Sequence, residues 1–302
     1  MLSQRALEAF RAVMESGSVS GAADMLNVSQ PAVSRLIRDL EESVGMSLFL
    51  RMGGKIVPTP EARELVMEVE RAFIGLGTIE QAARDIRHGL RGAVSIASMP
   101  ALAQSILPDA LMSLHRARPD SRIELLSMRT HNVIRQVASR QCQIGFTAPT
   151  QHQFDIDLID TYALGYRCIM PAGHPLEEQE VVRVKDFAGI AFVGFNETTA
   201  TGRMLERHFA TLNTPPLIMA RSHLSSIISA MVLRGMGAAV VDPFTARIHE
   251  RAGGSARTVE LEDRFMFAVI RPLGQKFSSD IEALLLIFNE IVAGFEGEEG
   301  SV

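Results

Sequence analysis

SVSGAADMLNVSQPAVSRLIRDL, residues 18–40, followed by GMSLFLR at 45–51, is the stretch on which the fold turns. Two short helical patterns meet at a tight turn, and the second carries a polar, basic stripe. On a helical wheel for residues 30–44, Gln30, Pro31, Ser34, Arg35 and Arg38 share one arc, while Val33, Leu36, Ile37, Leu40 and Val44 share the opposite arc. A helix so divided packs its apolar side on the preceding helices and shows the other side to solvent. This is the pattern of a helix-turn-helix whose second helix enters a DNA groove.

The residue types on the outer arc suit that task. Gln30 can pair with an adenine edge, Arg35 and Arg38 with guanine edges, and Ser34 is short enough for a phosphate or a base edge. Ser29 precedes the helix as an expected N-cap, its hydroxyl accepting from a backbone N–H. Pro31 falls in the first turn, where N–H groups have no helical partner. Arg51 and Lys55 flank Gly53 and Gly54, as phosphate-holding residues of a wing would.

Residues 1–60 hold six Lys or Arg and six Asp or Glu, so the expected affinity comes from local placement and from pairing of two chains rather than from a bulk field. The whole chain of 302 residues carries a formal charge of −5. Its hydrophobic fraction of 47% includes no apolar run of membrane-spanning length, and the first residues read as an amphipathic helix rather than a signal peptide. A cytoplasmic protein without a membrane partner is expected. Cys142 and Cys168 lie among strand-like apolar residues without metal-ligand spacing, so they read as buried small hydrophobes. No metal or cofactor is expected.

Residues 61–90 repeat apolar positions at spacings of three and four, from Leu65 and Val69 through Ile79 to Leu90. The stripe is narrow for so long a helix, which suggests a seam with a second copy, the alternative being packing on its own domain. From Gly92 onward, short apolar strands alternate with helices. Strands are expected at 93–97, 122–126, 143–146, 166–170, 190–193, 217–220, 238–241 and 265–270. Helices are expected at 103–117, 132–139, 202–212, 223–234 and 279–292. That alternation predicts an α/β domain with mainly parallel sheets. Residues 251–263 read as a loop rich in Gly and charge, and 296–300 as a frayed acidic tail.

Ligands of open α/β sheets bind beyond the carboxyl ends of the strands. That rule selects Ser98, Met99 and Pro100, then Met128, Thr147, the cluster Thr198, Thr199 and Thr201, His223, and Asp242. The threonine cluster opens a helix, whose positive end suits a carboxylate. Asp242 and Glu197 could accept an ammonium group, so an amino acid or a derivative would use both ends of such a cleft. The alternative for each Ser and Thr is simple helix capping.

The N-terminal segment resembles the DNA-binding domain of LysR-type transcriptional regulators. The matching stretches are Leu7-x-x-Phe10, Gly17-Ser18, Ala22-Ala23, the run from Leu26 to Arg35, Leu40-Glu41, Gly45, Leu48-Phe49-x-Arg51 and Pro58-Thr59. The chain departs from the family in its sparsely basic wing and in Ala62, where the family often has Gly. Residues 7–14, 58–62, 99–103, Pro171-x-Gly173-His174-Pro175-Leu176 and Val241-Asp242-Pro243 look most like the regulators of lysine biosynthesis and of opine (octopine, nopaline) catabolism.

The resemblance implies a winged helix-turn-helix at 1–60, a dimerising linker helix at 61–91, and an effector-binding domain at 92–302 similar to periplasmic binding proteins. Its subdomain I would comprise 92–161 and 268–302, and subdomain II 162–267, with crossings at 147–165 and 265–271. The expected function is effector-controlled activation or repression of transcription by a homodimer or homotetramer on inverted-repeat double-stranded DNA, with RNA polymerase as a further partner. The competing readings are an enzyme or a solute-binding protein with an appended helix-turn-helix. Against them stand the absence of Walker A, G-x-S-x-G, H-E-x-x-H and G-x-G-x-x-G motifs, and the expected lack of a signal peptide.

Overall fold

The computed structural model describes residues 2–52, 55–88, 94–149 and 155–299. The chain forms two compact units, Met1–Arg84 and Asp85–Val302.

The first unit opens with three helices, α1 (Gln4–Ser16), α2 (Val19–Leu26) and α3 (Gln30–Val44). Ser18 starts α2 by accepting from the Gly21 N–H at 3.0 Å. Asn27 ends it in the left-handed region, φ 54°, a conformation Asn tolerates better than most residues. Gly45 ends α3 in the same way at φ 70°. A hairpin follows, β1 (Phe49–Met52) paired antiparallel with β2 (Lys55–Pro58). Phe10, Val33, Leu40 and Leu48 are fully buried at the centre, each contributing about 1.5–3 kcal/mol by leaving water. Glu41 fixes the hairpin to α3, its Oε1 accepting from the N–H groups of Leu48 at 2.7 Å and Phe49 at 3.1 Å.

Helix α4 (Pro60–His88) starts on the buried hydroxyl of Thr59, which accepts from Ala62 N–H and donates to the Ser47 carbonyl, both at 3.1 Å. The first turns of α4 pack at home: Ala62 and Val69 are buried in the helix-turn-helix core, and Arg11 lies over the Phe73 ring. Further along, Ile79 is 67% exposed.

The second unit begins with β3 (Val94–Ser98), α5 (Pro100–Ala103), α6 (Ile106–Ala117), β4 (Ile123–Ser127), α7 (Thr130–Ala138), β5 (Ile144–Thr147) and β6 (Ile156–Leu164). It continues with β7 (Arg167–Met170), β8 (Val181–Arg183), β9 (Ala191–Phe195), α8 (Ala200–Phe209), β10 (Leu217–Ser222), α9 (Ser225–Val232), β11 (Ala239–Val241), α10 (Pro243–Arg251) and β12 (Ser255–Glu260). It returns through β13 (Phe265–Pro272) and closes on α11 (Ser279–Glu299). One sheet has the order β4-β3-β5-β13-β6 and, with its helices, makes lobe I. Lobe II holds the sheet β11-β7-β12-β8 and the pair β10-β9, linked by a Phe192–Ala238 bridge.

Several expectations need correction. The sheets are mixed rather than mainly parallel, because β13 runs antiparallel to β5 and β6, and β7 runs antiparallel to β11 and β12. A return strand reverses direction, which alternation of strands and helices does not reveal. The expected loop at 251–263 contains β12, whose polar, half-exposed residues hid it. The expected helix at 103–117 begins earlier and breaks between Ala103 and Ile106. The acidic tail is helical through Glu299. Within the expected crossing at 147–165, of which 150–154 lie outside the described residues, Ile156–Leu164 is the lobe I strand β6. Pairing of Leu164 with Phe265 carries that sheet past the expected boundaries at 162 and 267.

Both cysteines are fully buried; burial pushes the Cys142 thiol up to about 12 and the Cys168 thiol higher still. Among the described residues, no helix is long and apolar enough to cross a membrane.

Candidate nucleic-acid interface and ligand site

Helix α3 divides as its sequence demands. Val33, Ile37 and Leu40 are buried, whereas Ser29, Gln30, Pro31, Arg35 and Arg38 are exposed and Ser34 is half-buried. One expectation fails: Ser29 occupies the N-cap position, but its side chain makes no cap hydrogen bond. Arg35 lies 3.9 Å from Asp39 one turn on, and both are so exposed that the pair holds Arg35 only loosely. The Arg51 and Lys55 backbones lie on the hairpin, Arg51 opposite Ile56 and Lys55 opposite Met52. Their side chains, with Gly53 and Gly54, lie outside the described residues.

In the second unit, the strand-end rule gathers one half of the candidates tightly. Met128 N–H donates to the Ser98 carbonyl at 2.9 Å, and Met99 N–H to the Phe146 carbonyl at 2.8 Å, so the ends of β3, β4 and β5 form one surface. Ser98 and Thr147 are fully buried there, and Met99 is nearly so. The Thr147 Oγ1 has no hydrogen-bond partner among the described residues, a cost of roughly 1–3 kcal/mol for a buried hydroxyl.

The lobe II candidates are dispersed. Thr199 caps α8, accepting from Gly202 N–H at 2.9 Å and donating to the Asn196 carbonyl at 2.8 Å. Thr201 meets the hydroxyl of Tyr166 at 3.3 Å. Thr198 and His223 are exposed. Asp242 does not present a free carboxylate: it is 3% exposed and caps α10, with Oδ1 accepting from Thr245 N–H and Oδ2 from the Thr245 hydroxyl, each at 2.8 Å. Burial pushes its carboxyl above the ordinary value, and the hydrogen bonds from Thr245 and Ser225 pull against that rise.

Between the lobes lies a cavity of about 190 Å³. Pro100, Ala101, Gln104 and Ser105 line it from lobe I; Ser225, Ser229, Thr245 and Ile248 face them from lobe II. Two hydroxyl bridges between α9 and α10 hold its lining residues Ser225, Ser229 and Thr245. The Thr245 hydroxyl lies 2.9 Å from Ser225 Oγ, and Ser229 Oγ lies 2.9 Å from His249 Nδ1. His249 Nε2 donates to the Met170 carbonyl at 2.9 Å, so Nδ1 is the acceptor and the Ser229 hydroxyl donates. Burial lowers the His249 pKa, which keeps the ring neutral.

Strand-end reasoning missed Ser225, Ser229, Thr245 and His249. Their signal was available: two polar pairs at i,i+4 spacing on helix faces that must be buried have to satisfy one another. Tyr166 was read only as the start of a strand. It stands at the crossing between β6 and β7 and packs edge-on against Phe265 at the return crossing, 6.0 Å between centroids.

Comparison with known proteins agrees with this layout. Residues 4–63 match the bacterial regulatory helix-turn-helix protein, lysR family, and residues 87–290 match the LysR substrate binding domain. The transcriptional activator protein LysR of Escherichia coli (strain K12) is 30% identical over 92% of this chain and 90% of its own length. The octopine catabolism/uptake operon regulatory protein OccR of Rhizobium meliloti is 36% identical over 80% of each chain. A full-length OxyR structure from Pseudomonas aeruginosa shares the fold with a TM-score of 0.57 at 17% identity, over 96% of this chain and 95% of that one. A helix-turn-helix followed in sequence by a substrate binding domain is thus matched over nearly the whole length, and the chain belongs to the LysR family of helix-turn-helix transcriptional regulators.

Proposed function

We propose that this regulator binds inverted-repeat operator DNA as a homodimer or homotetramer and answers to an amino acid or amino-acid derivative held between its lobes. The observation that carries the DNA reading is the divided α3, with Gln30, Arg35 and Arg38 exposed opposite a fully apolar buried side. Ser29 supports it, since a hydroxyl that makes no cap bond is available to a phosphate. Ser34, Arg51 and Lys55 complete the interface, and Pro31 sets the approach of the helix start. Two such helices related by a two-fold axis prefer half-sites about one helical turn apart. Exposed Ile79 on α4 supports a linker seam with a second copy. RNA polymerase contact and a cytoplasmic location belong to the same reading.

The effector reading groups the surface formed by Ser98, Met99, Pro100, Met128 and Thr147 with the start of α8 at Thr198, Thr199 and Thr201, and with His223. The unpaired Thr147 hydroxyl favours a polar ligand. The name of the octopine-operon relative favours an amino-acid conjugate. Asp242 enters this reading as the group that orients the start of α10 rather than as a free ammonium partner. A ligand shifts the balance of lobe angles only by its affinity difference between them.

A thermal-shift screen of the full chain with amino acids, arginine-derived opines, diaminopimelate and simple carboxylates tests this. A true effector at about 100 times its Kd adds about 2.7 kcal/mol of stability. A shift confined to one amino-acid-like compound supports the effector class. No shift across the panel rejects that class and leaves DNA binding to be judged separately by footprinting.

A further inference from the structure

Helix α11 starts on one lobe and ends on the other. Its first turn is fastened to lobe I: Arg118 donates to Ser279 Oγ at 2.8 Å and pairs with the Asp280 carboxylate, to which Ser121 also donates at 2.8 Å. Ile281, Leu284, Phe288 and Val292 then follow one buried stripe, and the helix lies along α6. About 22 Å beyond Asp280, at 1.5 Å per residue, the stripe ends at Phe295. That ring is buried against α10 of lobe II. Its centroid lies 4.7 Å from that of Phe244, edge-on at 80°, and the Arg247 guanidinium sits 3.6 Å above it.

The contact adjoins the hinge. Phe244 also packs against Phe265 and Phe267 of the return strand, at 6.2 and 5.8 Å, and it lies two residues after Asp242, the cap of α10. Two crossing segments alone leave the lobes free to bend and twist. A rigid helix attached at both ends removes that freedom until one attachment yields. Arg251 and Asp109 also join the lobes at 3.8 Å, but both are exposed and hold little.

We propose that Phe295, held by Phe244 and Arg247, is a positioning residue for the effector response: it fixes the angle between the two lobes. The strut is independent of what the effector is. Its consequence for regulation rests on the reading that a ligand between the lobes acts through their angle.

Hydrogen exchange of the full-length protein without ligand tests the strut, comparing wild type with Phe295→Ala, Arg247→Lys and the exposed Leu286→Ala. The expected result for Phe295→Ala is exchange about tenfold faster at the crossings, residues 164–167 and 261–265, and in the first turn of α10, with β3 and β5 unchanged. Arg247→Lys keeps the charge but loses the planar stack and gives a smaller increase; Leu286→Ala gives none. Faster exchange confined to the last turn of α11, or spread evenly over the unit, overturns the strut. The operator footprint of ligand-free Phe295→Ala is expected to differ from that of wild type. An identical footprint overturns the regulatory role even if the strut stands. Failure of the effector reading shows elsewhere, as a panel in which no compound stabilises the wild type.

Discussion

The hydroxyls of Tyr166 and Thr201 meet at 3.3 Å, joining the first crossing between the lobes to the start of α8. Tyr166 is 7% exposed, and burial raises the pKa of its hydroxyl, so it stays protonated and is available as a donor. Either hydroxyl can donate in this pair; with Tyr166 as the donor, the Thr201 proton remains for a ligand carboxylate at the helix start. Tyr166→Phe should leave the fold intact and weaken effector affinity by about two- to tenfold, the worth of one hydrogen bond of about 0.5–1.5 kcal/mol. Titration of the effector found in the thermal-shift panel measures it. Unchanged affinity in both Tyr166→Phe and Thr201→Val would remove the pair from the response.

Glu41 gives a test confined to the DNA-reading unit. One carboxylate oxygen serves two backbone donors, Leu48 and Phe49, where the chain enters the hairpin. Glu41→Ala leaves both without that acceptor and should cost about 1–3 kcal/mol, read as a lower denaturation midpoint of the operator-binding activity. Glu41→Gln keeps a carbonyl acceptor and should lose less. Equal losses in the two variants would mean that the side chain matters for its charge.

The difference in legibility between the two units follows from where the interactions lie in sequence. In the helix-turn-helix, the turn, the caps and both faces of α3 lie within one stretch of sequence, even though α1 closes on α3 from farther away, as Phe10 does on Phe49. Lobe II depends on pairs such as His249 with Met170 and Arg257 with Glu177, about eighty residues apart. Strand β12 is polar on its open face, so its pairing with β7 and β8 left no period to read. Asp242 was legible as polar at a strand end. Whether it faces a ligand or caps a helix depends on Thr245 and Ser225 closing over it, which is a matter of packing. Phe295 was hidden by its acidic neighbours.

His249 predicts a pH dependence of stability. Burial holds its folded pKa below the ordinary value of 6.5, so the unfolded chain binds the proton more readily. The contribution is intact above 6.5 and declines as pH falls below it toward the folded value. The unfolding free energy of wild type relative to His249→Gln should therefore shrink between about pH 7 and about pH 5. Parallel curves would show that His249 does not titrate in that window.

Gly254 tests the same site sterically. A Cβ there would come within 2.1 Å of His249 Nε2, and the ring cannot retreat while Ser229 and the Met170 carbonyl hold its two nitrogens. Gly254→Ala should destabilise the second unit by at least about 1–3 kcal/mol, the usual range for overpacking. The double variant Gly254→Ala with His249→Ala should recover part of that loss, because the clash is removed. A double variant no more stable than Gly254→Ala alone would place the cost in the backbone instead.

Base reading and phosphate holding separate in two further variants. Gln30 is exposed at the start of α3, where side chains of a recognition helix reach base edges. Gln30→Ala should relax preference at one operator position by about 1–3 kcal/mol and leave nonspecific binding nearly unchanged. Arg51 lies on β1, and its expected partner is a phosphate. Arg51→Ala should weaken all sequences alike and reduce the slope of log K against log salt by about 0.9 for each phosphate no longer neutralised. Since residues 1–60 carry equal numbers of acidic and basic side chains, there is little background charge to mask the removal of one cation. An unchanged slope would remove Arg51 from the phosphate-holding residues, and an equal loss on every operator sequence for Gln30→Ala would move Gln30 into that class.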